Sequence, residues 1–136
     1  MTSGNDDGRP DIERGATHAG LPFSQYVRAG GTIYVSGIVG RDPRSGELAQ
    51  GDVETQTRVA LEVIEAILAE AGAGLTDVVK ATVFLTDMAR YGDVNTAYRR
   101  AFGDKLPART CVEVASLPDP EAQVEIEVVA ARGGER

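Results

Sequence analysis

The chain has 136 residues, of which 42% are hydrophobic and 26% charged, and its formal net charge is −7. This size and balance are typical of a single globular domain, and the negative charge argues against a broad nucleic-acid-binding surface, which is normally basic. A single cysteine excludes an intrachain disulfide and fits a reducing cytoplasm. With only one histidine, His18, zinc and Ser-His-Asp sites are improbable. No apolar run approaches the roughly 18 residues that a membrane span needs.

The N-terminal residues 1–20 are rich in Gly, Asp and Arg and lack a hydrophobic segment. We expect a flexible polar tail there and no secretory signal, a single domain over 21–132, and a short polar tail over 133–136. Residues 26–29 and 32–35 flank Gly30-Gly31, which predicts a β-hairpin. After a turn at 42–46, Leu48 and Ala49 are expected to form a short third strand.

Two amphipathic helices and three further strands are predicted next. The first helix begins after Asp52 as N-cap and stops at Gly72, with one apolar face. Residues 78–85 predict a strand in the middle of a covered sheet. The second helix has a sheet-facing side, and strands at 110–114 and 123–131 complete the chain. The order βββ-α-β-α-ββ predicts an α+β fold with both helices on one face of a mixed sheet. The sheet-facing side of the second helix is assigned to Tyr91, Val94, Tyr98, Ala101 and Phe102.

Charged residues stand at unusual places in the last two strands. Arg109 follows Pro-Ala at the start of the first, and Glu125 lies inside the apolar second strand. An arginine side chain is a fixed cation with a planar fork of donors that matches a carboxylate. A nearby carboxylate can position water or move a proton. The pair suggests a small site for an anionic metabolite.

The run PARTCVEV at 107–114, followed by VEIEVVA at 124–130, resembles the reactive intermediate deaminases of the RidA/YjgF family. The similarity continues in PFSQ at 22–25, VSG at 35–37, KATVFL at 80–85 and VNTAY at 94–98, and covers roughly residues 21–132. It implies a chorismate-mutase-like fold and a homotrimer with sites at subunit interfaces. The implied reaction is cofactor-independent hydrolysis of 2-aminoacrylate or 2-iminobutanoate to a 2-keto acid and ammonia.

The resemblance also implies roles for single residues. Arg109 would bind the substrate carboxylate, where the residue alone would suggest a surface arginine at a strand edge, with or without an acidic partner. Glu125 would hold or activate the attacking water, whereas Glu127 is expected on a solvated face. Burial of Glu125 in a subunit groove would raise its pKa, and proximity to Arg109 would lower it.

Four further residues are matched to the pocket. Cys111 is expected to line it without acting as a nucleophile, since no histidine is available to activate the thiol. Asn95 is either a pocket residue or a satisfied hydrogen-bonding group of the core. Ser36 and Gly37 are expected near the substrate, and their alternative role is simply a turn.

Two positions depart from the family pattern. Phe23 stands where a tyrosine is common, so a ligand-contacting hydroxyl is absent, and Ile38 replaces a frequent glutamine, which predicts a more apolar wall. These departures leave open a bulkier imine as substrate. They also leave open a second hypothesis, a non-catalytic sensor of 2-keto acids. Ribonuclease activity is a third, weaker one, because the chain is acidic and lacks a histidine pair and a basic stripe.

Overall fold

The computed structural model describes residues 8, 9 and 11–132. Its elements follow the order βββ-α-β-α-ββ, and six strands form one mixed sheet ordered β1-β2-β3-β6-β4-β5. Only β4 and β5 are parallel neighbours. The predicted α+β class and element order are therefore confirmed. The elements are β1 Ile12–Arg14, β2 Tyr26–Ala29, β3 Thr32–Val39, α1 Val53–Glu70, β4 Val78–Leu85, α2 Tyr91–Phe102, β5 Ala108–Glu113 and β6 Val124–Ala131, with 3-10 turns at Leu75–Asp77 and Met88–Arg90.

The first helix begins and ends where its capping residues predict. The Asp52 carboxylate accepts a hydrogen bond from the Thr55 backbone N–H at 3.0 Å, which satisfies one of the unpaired donors of the first turn. Gly72 follows the helix with a φ of +81°, a conformation that favours glycine. The apolar face of α1 packs on β3 and β6, and its largest side chains, such as Ile64 and Leu68, are fully buried.

The third strand of the prediction is wrong. Leu48 forms only an isolated bridge with Arg41, and the additional strand is β1, which pairs antiparallel with β2. The expected flexible tail over 1–20 is therefore wrong from Ile12 onward. Strand β1 has three residues, all exposed, so it carries no hydrophobic pattern. Backbone pairing holds it, together with a 2.7 Å hydrogen bond from the Tyr26 hydroxyl to Glu13. Residues 1–7, 10 and the predicted tail 133–136 lie outside the described residues.

Among the described residues, helices cover only one face of the sheet. Ala81, Val83 and Leu85 of β4 are buried on the helix side. The other side of the same strand carries half-buried and exposed residues, and Val79 is 50% exposed. The position of β4 inside the sheet, between β6 and β5, agrees with the expected strand near the middle of a covered sheet, and a broad helix-free face remains on the other side in the described chain. Among the described residues, no helix is both long and apolar enough to cross a bilayer.

Candidate functional site

Arg109 lies at the start of the edge strand β5 and points toward the helices. It pairs in register with Ala81, whose side chain is fully buried on the helix side, and its guanidinium reaches α2. The guanidinium carbon is 4.7 Å from the ring centroid of Tyr98 and 5.4 Å from that of Tyr91. One N–H donates to the Tyr91 hydroxyl at 3.0 Å. In the described part of the chain no carboxylate pairs with Arg109. The acidic neighbour considered for a surface arginine at a strand edge is therefore not found there, whereas the edge position itself is.

Cys111 lies beside Arg109 on β5, and Asn95 lies on the side of α2 that carries Tyr91 and Tyr98. We call these five residues the arginine cluster (Tyr91, Asn95, Tyr98, Arg109 and Cys111). Cys111 is two residues beyond Arg109 on the same side of β5 and packs against the core. Burial raises the pKa of its thiol, although the charge of Arg109 opposes this, so the sulfur is a protonated thiol and a poor nucleophile at neutral pH.

Asn95 lies one helical turn from Tyr91 and from Tyr98, on the same side of α2. The side chain is half-buried. Among the hydrogen bonds of the described residues, none involves its amide. The alternative of a satisfied core amide is therefore not supported in the described chain.

Glu125 lines a cavity of about 630 Å³ on the helix-free side of the sheet. It lies on β6, opposite Val39 of β3 and Phe84 of β4. Burial raises the pKa of its carboxyl above the ordinary value, and the neighbouring charge of Glu127 raises it further. We call this cavity the glutamate pocket. Its apolar wall is formed by Leu21, Phe23, Val39, Pro118 and Pro120, and its polar wall by His18, Ser36, Gly37, Arg41, Asp119 and Glu125.

Ser36 and Gly37 form the floor of the glutamate pocket at an irregular point of β3. The register with β6 shifts between Val35 and Ile38. The Ser36 hydroxyl donates to the Ser24 carbonyl at 2.6 Å, which fixes the pocket wall to the segment before β2. A Cβ on Gly37 would overlap Oε2 of Glu125 and lie 3.0 Å from its Cδ. Glycine at 37 is therefore what admits the carboxylate, so the alternative of a simple turn does not account for these residues.

Phe23 lines the pocket as expected, whereas Ile38 does not. The Phe23 ring is 39% exposed and stacks on His18 with centroids 5.8 Å apart and an interplanar angle of 13°. Ile38 is 1% exposed and pairs with Ile126 in the core. The predicted apolar wall at Ile38 is wrong because the irregularity at 36–37 adds a residue to the strand and turns Ile38 inward.

Arg109 and Glu125 do not meet within one chain, because they lie on opposite faces of the sheet. Arg109 is opposite Ala81 and Glu125 is opposite Phe84, with β4 between them. Strand spacings of about 4.8 Å and residue steps of about 3.3 Å place their Cα atoms roughly 14 Å apart. The expectation that Arg109 lowers the pKa of Glu125 is consequently wrong for the single chain, in which Arg109 does not contribute to the shift.

Comparison with known proteins identifies the family to which this chain belongs. The family model described as Endoribonuclease L-PSP matches residues 14–132. This chain belongs to that family, also known as RidA/YjgF.

Three relatives of this RidA/YjgF chain illustrate the breadth of the family. A RutC family protein of Sulfurisphaera tokodaii is 46% identical over 112 residues, which are 82% of this chain and 89% of the relative. The mouse protein named 2-iminobutanoate/2-iminopropanoate deaminase is also 46% identical, with 82% of each chain covered. The crystal structure of E. coli TdcF with bound serine has a TM-score of 0.78 and 36% identity, over 83% of this chain and 90% of TdcF.

Several pocket residues of this RidA/YjgF chain escaped the sequence analysis. Arg41 forms an ion pair with Asp119 and donates to the Gly46 carbonyl at 2.7 Å. His18 had been assigned to the expected tail, yet it stacks on Phe23 inside the pocket. No local pattern marks these residues, since each stands in an irregular segment. Tyr91 and Tyr98, by contrast, are seven residues apart, and this spacing places both rings on one side of a helix. Their shared side was therefore detectable from the sequence.

Proposed function

We propose that this protein is a cofactor-independent deaminase of the cytoplasm that hydrolyses 2-iminobutanoate- and 2-iminopropanoate-type intermediates. The observation that carries this proposal is the guanidinium of Arg109, which keeps most of its donors available because no described carboxylate pairs with it. A 2-imino acid offers the carboxylate that such a fork binds. The name of the mouse relative, at 46% identity, supports the same substrate class.

The proposed site is completed between copies of the chain in a homotrimer. The arginine cluster and the glutamate pocket face opposite sides of the sheet, so a substrate that touches both needs Arg109 of one copy and Glu125 of another. The helix-free face also exposes apolar residues, with Tyr34 51% exposed, as expected of a surface buried on assembly. A closed ring of identical subunits repeats the same contact at each interface.

The proposed chemistry uses one water molecule and no external group. Arg109 binds the carboxylate of the 2-imino acid and orients C2 toward the glutamate pocket. Water adds to C2 of the protonated imine while Glu125 accepts a proton from the water, which gives a neutral carbinolamine. Glu125 returns that proton to the amino nitrogen. As the C–N bond breaks, Glu125 accepts the hydroxyl proton, and the 2-keto acid and ammonia leave; ammonia or solvent then takes the proton from Glu125. The raised pKa of Glu125 suits these steps, since proton transfer is most effective when the pKa of the group approaches the working pH.

The test is to generate 2-iminobutanoate and 2-aminoacrylate in situ with a dehydratase and to follow keto-acid release. Wild type is expected to accelerate release, and Arg109→Ala to lose most of this effect while remaining folded, as checked by circular dichroism. Arg58→Ala is the matched control, because Arg58 is an exposed arginine of α1 whose ion pair among the described residues is with Glu62. Unchanged turnover by Arg109→Ala would contradict the assignment of the site.

The sensor hypothesis has its own signature in the same preparation. Saturable binding of 2-oxobutanoate by wild type without any acceleration of imine hydrolysis would favour it. The described geometry gives no specific support to ribonuclease activity, and the net charge of −7 opposes binding of a polyanion.

A further inference from the structure

The arginine cluster holds its cation in an unusual way. Most partly buried arginines are neutralised by a carboxylate, but the described partners of Arg109 are two tyrosines of α2. Tyr98 is 5% exposed and fixed in the core against Phe102, with ring centroids 4.6 Å apart. Tyr91 is 42% exposed and stands at the mouth of the cluster. One ring is therefore a buried wall of the cluster, and the other lies at its solvent-exposed edge.

We propose that Tyr91 and Tyr98 are positioning residues for Arg109. The two rings contact the face of the Arg109 guanidinium, and the Tyr91 hydroxyl accepts one of its N–H groups. The remaining N–H donors of Arg109 are thereby aimed at the substrate carboxylate. This inference rests on the proposed function, because it names the groups that make Arg109 effective in that site. The electron-rich face of an aromatic ring attracts the guanidinium while leaving all N–H groups of the guanidinium free to donate. A carboxylate partner would instead occupy the two donors that a bidentate substrate contact needs.

The donor count supports this division of roles. A guanidinium has five N–H groups, and one of them donates to the Tyr91 hydroxyl. The other four have no acceptor among the described residues. The chain has a net charge of −7, which repels small anions at long range. Arg109, which has no carboxylate partner among the described residues, supplies a local positive charge that attracts them.

The surroundings of the Tyr98 hydroxyl show whether the ring or the hydroxyl of Tyr98 acts on Arg109. It is buried and has no hydrogen-bond partner in the described chain, and burial raises its pKa to about 12 although Arg109 opposes this. It stays neutral at physiological pH and accepts no hydrogen bond from Arg109. The ring alone therefore acts on Arg109, and Tyr98→Phe should preserve this action whereas Tyr98→Leu should remove it.

The test measures kcat and KM for 2-iminobutanoate, together with the Kd of 2-oxobutanoate by isothermal titration calorimetry. We expect Tyr98→Leu to raise KM and Kd about five- to tenfold, and Tyr91→Phe, which lacks only the acceptor, to raise them about threefold. In both variants kcat should change less than KM. Tyr98→Phe should recover most of the loss seen in Tyr98→Leu.

Two controls separate positioning from damage to the fold. Val94→Ala opens a cavity in the same helix at a fully buried position that supplies neither a ring nor a hydrogen bond to Arg109. It should lower the Tm without raising Kd. In an Arg109→Ala background the tyrosine variants should cause little further loss of kcat/KM, because residues that act through one group are not additive.

The outcomes distinguish this inference from the proposed function. Wild-type Kd values in Tyr98→Leu and Tyr91→Phe, or losses that add fully to that of Arg109→Ala, would overturn the positioning role while leaving the deaminase intact. A wild type that binds 2-oxobutanoate without hydrolysing imines would overturn the deaminase, and the Kd series would still decide the positioning role. A wild type that does neither would overturn both.

Discussion

A methyl group added at Gly37 is expected to disable Glu125 without unfolding the protein. The Cβ of Gly37→Ala would overlap Oε2 of Glu125 and also press on Cδ at 3.0 Å and Cγ at 3.3 Å. The backbone of Gly37 does not adopt a positive φ, so alanine introduces no backbone strain. The steric overlap is therefore relieved by the Glu125 side chain, whose carboxylate has to move away from the pocket floor.

The expected loss follows from the size of this displacement. Restoring an ordinary carbon–oxygen contact requires the carboxylate to move by about 1 Å, and a misplacement of that size costs about 100-fold in rate. We expect kcat/KM for 2-iminobutanoate to fall by about this factor, while Tm stays level or rises slightly because alanine restricts the unfolded chain more than glycine does.

The assay for Gly37→Ala is keto-acid release beside a thermal melt, with Gly74→Ala as the matched control. A Cβ on Gly74 meets no heavy atom within 4 Å, so this control tests the general effect of a methyl group without disturbing the pocket. Full activity in Gly37→Ala with an unchanged Tm would refute the assignment of the Glu125 carboxylate as the group that activates water.

Two further substitutions test the roles of single groups in the site. Glu125→Gln should lower kcat/KM by about 10²–10⁴-fold. Wild-type activity should fall as the pH drops through the raised pKa of Glu125, because the protonated carboxyl cannot accept a proton from water. A variant whose activity still falls in the same pH range would contradict the assignment. Glu125→Gln should also have a higher Tm than wild type at neutral pH, because the buried charge of Glu125 destabilises the folded wild type there. This difference in Tm should disappear as the pH falls through the raised pKa and the wild-type carboxyl becomes protonated. Cys111→Ala should lower kcat/KM by less than about tenfold, since a protonated lining thiol contributes only packing; loss of all activity in a folded variant would show that the sulfur reacts.

The sequence predicted those elements whose signals are local. The helix α1 carries its own caps at Asp52 and Gly72 and its own apolar period, so its bounds could be predicted closely. The strand β1 could not be predicted, because its three exposed residues have no pattern and are held by the backbone of β2 and the hydroxyl of Tyr26. Local signals determine a helix, whereas an edge strand depends on its neighbour.

The candidate site shows the same division. Arg109, Glu125 and Gly37 were proposed as site residues from their residue types and the family resemblance, and the structure places each at a cluster or a pocket. Their separation on two faces was not predicted, because it depends on β6 pairing between β3 and β4, a long-range arrangement that no local pattern encodes. The inward turn of Ile38 depends on the irregularity at 36–37, which simple alternation does not reveal.

The central claim, that Arg109 and Glu125 act from different copies of the chain, is tested most directly by complementation. Arg109→Ala and Glu125→Gln are each expected to be inactive alone. When they are co-expressed in equal amounts and assemble at random into closed trimers, three quarters of the trimers are mixed and each has one intact site, so the account predicts recovery of about a quarter of wild-type activity. A mixed preparation of confirmed hetero-oligomers with no activity above that of the separate variants would contradict the account.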